Sequence, residues 1–148
     1  MPNGKRSCFV DTNLLVYAVD PSAGTKRERV ADLLRLVIRN HTLVLSPQSL
    51  NECYRAVALK RSLMPRDEAR QFISAWSSFC TAPYNFAVTV QAWRIQDRYR
   101  FSWWDCMLLG SALLAGCDVF LSEDMQHEQK VGGLTVLSPF DPGPDLEF

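Results

Sequence analysis

The sequence predicts an α/β protein built on a mainly parallel sheet flanked by helices. Two observations carry this. Short apolar, strand-like runs alternate with longer helical patterns from end to end, an order that favours parallel strands joined by crossover helices. The apolar share is 47% and the charged share 22%, the composition of a chain that buries a core. At 148 residues it has the length of one ordinary domain, with no internal repeat, low-complexity block or linker.

Cys8–Val10 reads as a short buried strand running into Asp11. Lys26–Arg39 reads as an amphipathic helix, because Val30, Leu33, Leu34, Val37 and Ile38 share one face at helical spacing. Thr42–Leu45 is a second strand. Ser46 and Pro47 then supply an N-cap and a first-position proline for a helix running to about Leu59. Pro65 breaks the chain. Arg66–Phe79 is the next helix, with Ala69, Phe72, Ile73 and Trp76 on one side. Thr81–Val88 leaves open a short strand, ahead of a helix from about Thr89 to Tyr99. Ser102–Ala115 is apolar almost all round, the pattern of a buried helix, and Gly116 stands where a C′ residue closes it. Val119–Leu121 and Leu134–Leu137 are strands, separated by a polar connection containing Gly132 and Gly133. Residues 1–140 are expected to form the domain, and 141–148 a flexible acidic C-terminal tail.

Lysine plus arginine and aspartate plus glutamate both count 16, so a strongly basic nucleic-acid binder is not indicated. Any polyanion must be met by local patches. The five cysteines include no C-x-x-C pair and sit mostly in apolar runs, as small buried hydrophobes in a reducing compartment do. Lys5 and Arg6 precede an apolar stretch in the manner of a secretory leader, but Asp11 and Asn13 interrupt it. No apolar run approaches the roughly 20 residues that span a bilayer. The cytoplasm is the expected location, without membrane attachment.

Four acids stand at the edges of apolar segments: Asp11, Glu52, Asp105 and Asp124. Each has an ordinary structural explanation. Asp11 can cap a following turn, Glu52 and Asp105 have capping-box spacing from Ser49 and Ser102, and Asp124 can be a turn residue. In a parallel sheet, however, strand carboxyl ends share one edge and carry the ligand site. Two carboxylates about 5 Å apart repel by roughly 3 kcal/mol at an effective dielectric near 20. A cap contributes only about 1 kcal/mol. If the four acids converge, capping alone does not justify them, and a hard divalent cation with oxygen ligands does. Such an ion can activate water against a phosphodiester.

Val10-Asp11-Thr12-Asn13, Asn51-Glu52, Trp104-Asp105 and Ser122-Glu123-Asp124-Met125 resemble, in order, spacing and context, the four acidic motifs of the PIN domain family. The resemblance runs from Cys8 to Pro139 and extends to the VapC-type toxin ribonucleases of bacterial toxin–antitoxin modules. It implies a three-layer α/β/α sandwich and an endoribonuclease dependent on Mg²⁺ or Mn²⁺. It also implies a neutralising antitoxin partner and a homodimer. On this resemblance Asp11, Asp105 and Asp124 hold the metal, Glu52 completes the catalytic acidic cluster, and Asn13 and Ser122 orient the carboxylates. Trp104 and Met107 are larger than the residues that often flank the third acid in the family.

Lys5, Arg6 and Arg100 are candidates to receive RNA phosphates. Arg94 and Arg98 read first as a solvated helix face. Trp76, Trp93, Trp103 and Trp104 read first as core or protein-interface residues, with base stacking as the other possibility. His127 receives at most a minor role. Two other classes of function stay open: a non-catalytic interaction module with this fold, and metal-dependent phosphatase or DNA nuclease chemistry.

Overall fold

The computed structural model describes residues 4–140, so the expected tail at 141–148 lies outside the described residues. The elements in order are β1 (Ser7–Val10), α1 (Thr12–Tyr17), α2 (Thr25–Asn40), β2 (Thr42–Val44), α3 (Pro47–Tyr54), α4 (Arg66–Trp76), α5 (Phe86–Arg98), α6 (Trp103–Leu114), β3 (Val119–Leu121), β4 (Lys130–Val131) and β5 (Leu134–Leu137). The strands form one sheet in the order β2-β1-β3-β5-β4. All neighbours are parallel except β4, which pairs antiparallel with β5.

Strand side chains alternate between two faces, and each face has its own core. Cys8, Val10, Leu43, Val119 and Leu121 pack with buried residues of α1, α2, α3 and α4. Phe9, Val44, Phe120 and Val136 pack with α5 and α6. Phe9 and Phe120 stack face to face with centroids 5.3 Å apart, joining β1 to β3 on that side. The result is the expected three-layer α/β/α sandwich. Its strands are apolar on both faces because helices cover both.

Local signals set several boundaries. Ser46 accepts from the Ser49 N–H while Ser49 Oγ accepts from the Ser46 N–H, a reciprocal cap, and Pro47 is the first helical residue. A helix beginning there places Glu52 in its second turn. α3 continues through a π-helical segment at Arg55–Lys60. At the end of α6, Gly116 adopts φ +73° and its N–H donates to the Leu113 carbonyl. The Cys117 N–H donates to the Ala112 carbonyl, completing a Schellman closure that needs a residue tolerant of positive φ. α5 and α6 approach closely at Gly110, where a Cβ would lie 3.1 Å from the Val88 carbonyl oxygen. That contact sets α6 against α5 and helps to fix the helix that carries Asp105.

Four boundaries differ from expectation. Thr12–Tyr17 is a helix, where only a capped turn was considered. Helix α5 starts at Phe86, capped by Asn85 Oδ1, which accepts from the Val88 N–H, and not at Thr89. The stretch before it holds no strand, only a parallel bridge between Leu45 and Cys80. Lys130–Val131 pairs as a two-residue strand within the polar connection. Among the described residues no helix is long and apolar enough to cross a membrane.

Candidate active site

The sheet order places β1 beside β3, with β2 on one side and β5 on the other. Chain connections diverge between β1 and β3, so the crevice outside their carboxyl ends is the topological switch point. Asp11 follows the last residue of β1, and Ser122 follows the last residue of β3. The Asp11 N–H donates to the Leu121 carbonyl at 2.9 Å, locking the two strand ends together.

Asp11 occupies the N-cap position of α1, yet its side chain makes no capping bond. Its Oδ2 instead accepts from the Ser122 hydroxyl at 2.8 Å. Ser122 is fully buried and Asp11 only 5% exposed. The Asp124 N–H donates to the same Ser122 oxygen at 3.2 Å, so one hydroxyl ties two acidic positions. Asn13 Nδ2 donates to Asp124 Oδ2 at 2.8 Å. Both residues expected to orient carboxylates are therefore bonded to them.

Asp105 is the third residue of α6, whose N-cap Ser102 accepts from the Asp105 N–H at 3.2 Å. Glu52 accepts from the Thr12 hydroxyl at 3.0 Å and from Gln48 Nε2 at 2.9 Å. Gln48 Nε2 also donates to the Trp104 carbonyl at 3.0 Å, which links α3 to the first turn of α6. Four acids from four segments thus meet one sheet edge. Thr12 and Gln48 were not foreseen. Gln48 precedes Glu52 by one helical turn, a spacing that puts the two side chains in reach and is readable in sequence.

The electrostatics follow from this convergence. Burial pushes the Asp11 carboxyl from 3.8 up to about 7, the Ser122 hydrogen bond opposes this, and the charges of Asp105 and Asp124 add to it. Asp105 is also raised, first by burial and then by Asp124, against a hydrogen bond from Ser102. The three aspartates therefore feel one another.

Oxygen-only donors that repel each other suit a hard cation, which would reverse the sign of the interaction. Among the described residues no three His, Cys, Asp or Glu side chains already lie close enough to cage a metal ion.

Other candidates fall elsewhere. Lys5 and Arg6 precede β1 and so stand at its amino end, about 13 Å of strand away from Asp11. The fold does not bring them to the acidic edge. Arg100 is exposed in the connection that enters α6, two residues before the Ser102 cap. Glu123 is engaged by the Tyr17 hydroxyl at 2.5 Å and by Lys26. His127 Nδ1 accepts from the Ser138 N–H at 3.0 Å and serves the chain after β5.

The PIN domain family model matches residues 8–132. The chain belongs to the PIN domain family. Its match takes in all four acids. Among solved structures, DNA-bound VapBC from Salmonella typhimurium is similar at a TM-score of 0.66 and 14% identity, covering 90% of this chain and 98% of that one. The toxin–antitoxin complex from Klebsiella pneumoniae is similar at 0.65 and 18% identity, covering 89% and 97%. Mycobacterium tuberculosis VapC20, described as a sarcin–ricin loop cleaving toxin, is similar at 0.58 and 14% identity, covering 76% and 86%. At these identities the likeness is one of fold. A search of curated protein sequences finds no significant match.

Proposed function

We propose that this PIN domain is a divalent-metal-dependent endoribonuclease and the toxin of a type II toxin–antitoxin pair. The observation that carries the proposal is Asp11. A buried carboxylate at a helix N-cap that makes no capping bond, and is held by Ser122 facing two other aspartates, serves no structural purpose of comparable worth. Fold neighbours described as toxin–antitoxin complexes and as a loop-cleaving toxin support the biological setting. A cognate antitoxin, a homodimer and a cytoplasmic setting belong to the same reading.

Asp11, Asp105 and Asp124 are the residues that would hold Mg²⁺ or Mn²⁺, directly or through water. When bound, such an ion supplies an activated water and a counter-charge for the leaving oxygen of a phosphodiester. Ser122 and Asn13 keep Asp11 and Asp124 in place. Thr12 and Gln48 hold both oxygens of Glu52 at the rim, so Glu52 adds negative charge at a set position. Arg100, exposed in the connection that enters α6, would receive a substrate phosphate.

The test is incubation of matched single-stranded RNA and DNA with the purified protein, with Mn²⁺ or with chelator. RNA cleavage that needs the cation is expected. Cleavage that persists in chelator contradicts metal dependence. Cleavage of DNA alone moves the site to the deoxyribonuclease reading.

A further inference from the structure

Beside the acidic centre lies a cleft of about 390 Å³ lined by Gln48, Asn51, Glu52, Arg55, Tyr84 and Trp104. Trp104 is 57% exposed and Tyr84 44% exposed. The sequence reading favours a core or a protein interface for Trp104; the structure takes it out of the core and leaves its ring exposed, one residue before Asp105. Glu52 belongs to both the cleft and the acidic group, so the two are continuous.

Gln48 supplies an independent observation. It is 5% exposed. Its Nε2 donates to a carboxylate oxygen and to a backbone carbonyl, both pure acceptors. The amide therefore has one orientation, since the reverse would set oxygen against oxygen. Its Oε1 is left buried with no hydrogen-bond partner. A buried acceptor in this condition calls for an N–H donor.

We propose that this cleft is a nucleobase subsite for an unpaired base of single-stranded RNA. The base stacks on Trp104 and Tyr84, an N–H on its edge meets Gln48 Oε1 once the covered amide turns towards the cleft, and Arg55 receives the adjoining phosphate. Stacking on exposed rings beside a cationic side chain is how single strands are held. The hollow has the size of small-molecule sites, and amide groups and a guanidinium accompany its rings. Glu52 joins the cleft to the acidic centre, which favours the nuclease's own substrate over a docked protein. The subsite sets a neighbouring phosphodiester before the carboxylates, and in this it rests on the nuclease reading.

Binding is measured on the full chain in chelator, so that cleavage plays no part. The probe is a short fluorescent single-stranded RNA, compared with the same strand carrying abasic sugars, followed by anisotropy. Trp104→Ala is expected to weaken binding about tenfold, Tyr84→Ala by a similar or smaller factor, and Trp104→Phe little. Wild type should hold the abasic strand about as weakly as Trp104→Ala holds the normal one. Circular dichroism establishes that each variant is folded, and Tyr84→Ala with the abasic strand carries the comparison if Trp104→Ala is not.

Equal affinities across these variants and probes, or no binding by the wild type, would overturn the subsite. So would a Trp104→Ala variant that binds RNA normally but sediments as a monomer where wild type is a dimer, which assigns the face to a second copy. The expected binding pattern in a protein that fails to cleave RNA with Mn²⁺ upholds the subsite and overturns the nuclease. Mn²⁺-dependent cleavage with unchanged Trp104→Ala binding does the reverse.

Discussion

Asp11→Asn is expected to lower RNA cleavage about 10²–10³-fold, the scale of removing one preorganised electrostatic group from a reaction centre, while making the metal-free protein more stable above neutral pH. The two effects have one source. Burial raises the Asp11 carboxyl to about 7 in the folded chain, and Asp105 and Asp124 push in the same direction. An unfolded aspartate titrates near 3.9. Between these values the folded chain holds a proton that the unfolded chain has lost. Stability from this group is therefore complete below about 4 and falls as pH rises through about 7. Asparagine has nearly the same shape, does not ionise and is free of this penalty.

Melting in chelator at pH 8 should place the Asp11→Asn variant above wild type, by about 2–4 °C for each kcal/mol regained. The gap should close as the pH is lowered towards 4. A variant that melts below wild type at pH 8 would contradict the buried, repelled carboxylate.

Ser122→Ala should lower activity about 10–100-fold, the range found for groups that orient metal ligands. Its hydroxyl donates to Asp11 and accepts from the Asp124 N–H, and it is fully buried. Removing it releases two acids at once. It also removes the one side-chain hydrogen bond that holds the Asp11 carboxyl down, so that carboxyl titrates still higher. The expected readouts are a higher Mn²⁺ concentration for half-maximal cleavage and a pH–rate profile displaced to the alkaline side. An unchanged Mn²⁺ requirement would show that Ser122 acts on neither acid.

The parallel sheet and most helices were legible because their signals are local and periodic. The Ser46-Pro47 start, the Gly116 stop and the face of α2 are examples. The helix Thr12–Tyr17 was not, since Leu14, Leu15 and Val16 run together without helical spacing and Asp11 gives α1 no side-chain cap. Its helicity comes from packing under α2 and α3, which sequence does not display. Lys130–Val131 is too short to show alternation, and only pairing with β5 makes it a strand.

At the site, the four acids could be found because each stands at the edge of an apolar segment, and Asn13 and Ser122 through the motifs that resemble the PIN domain family. Thr12 acts across the fold on Glu52 and Gln48 on the Trp104 carbonyl, while the bond from Gln48 to Glu52 lies within one helical turn. The exposure of Trp104 was hidden for a related reason. It lies on an apolar helix, and only the cleft beside α3 leaves its ring open. Lys5 and Arg6 are neighbours of Asp11 in sequence but lie at the opposite end of β1.

The shared role of the carboxylates is open to calorimetry with Mn²⁺ titrated into wild type and into Asp11→Asn, Asp105→Asn and Asp124→Asn. One common site requires that wild type bind the ion and that each substitution weaken it markedly. Equal affinity in all four proteins would contradict a cation held between these aspartates.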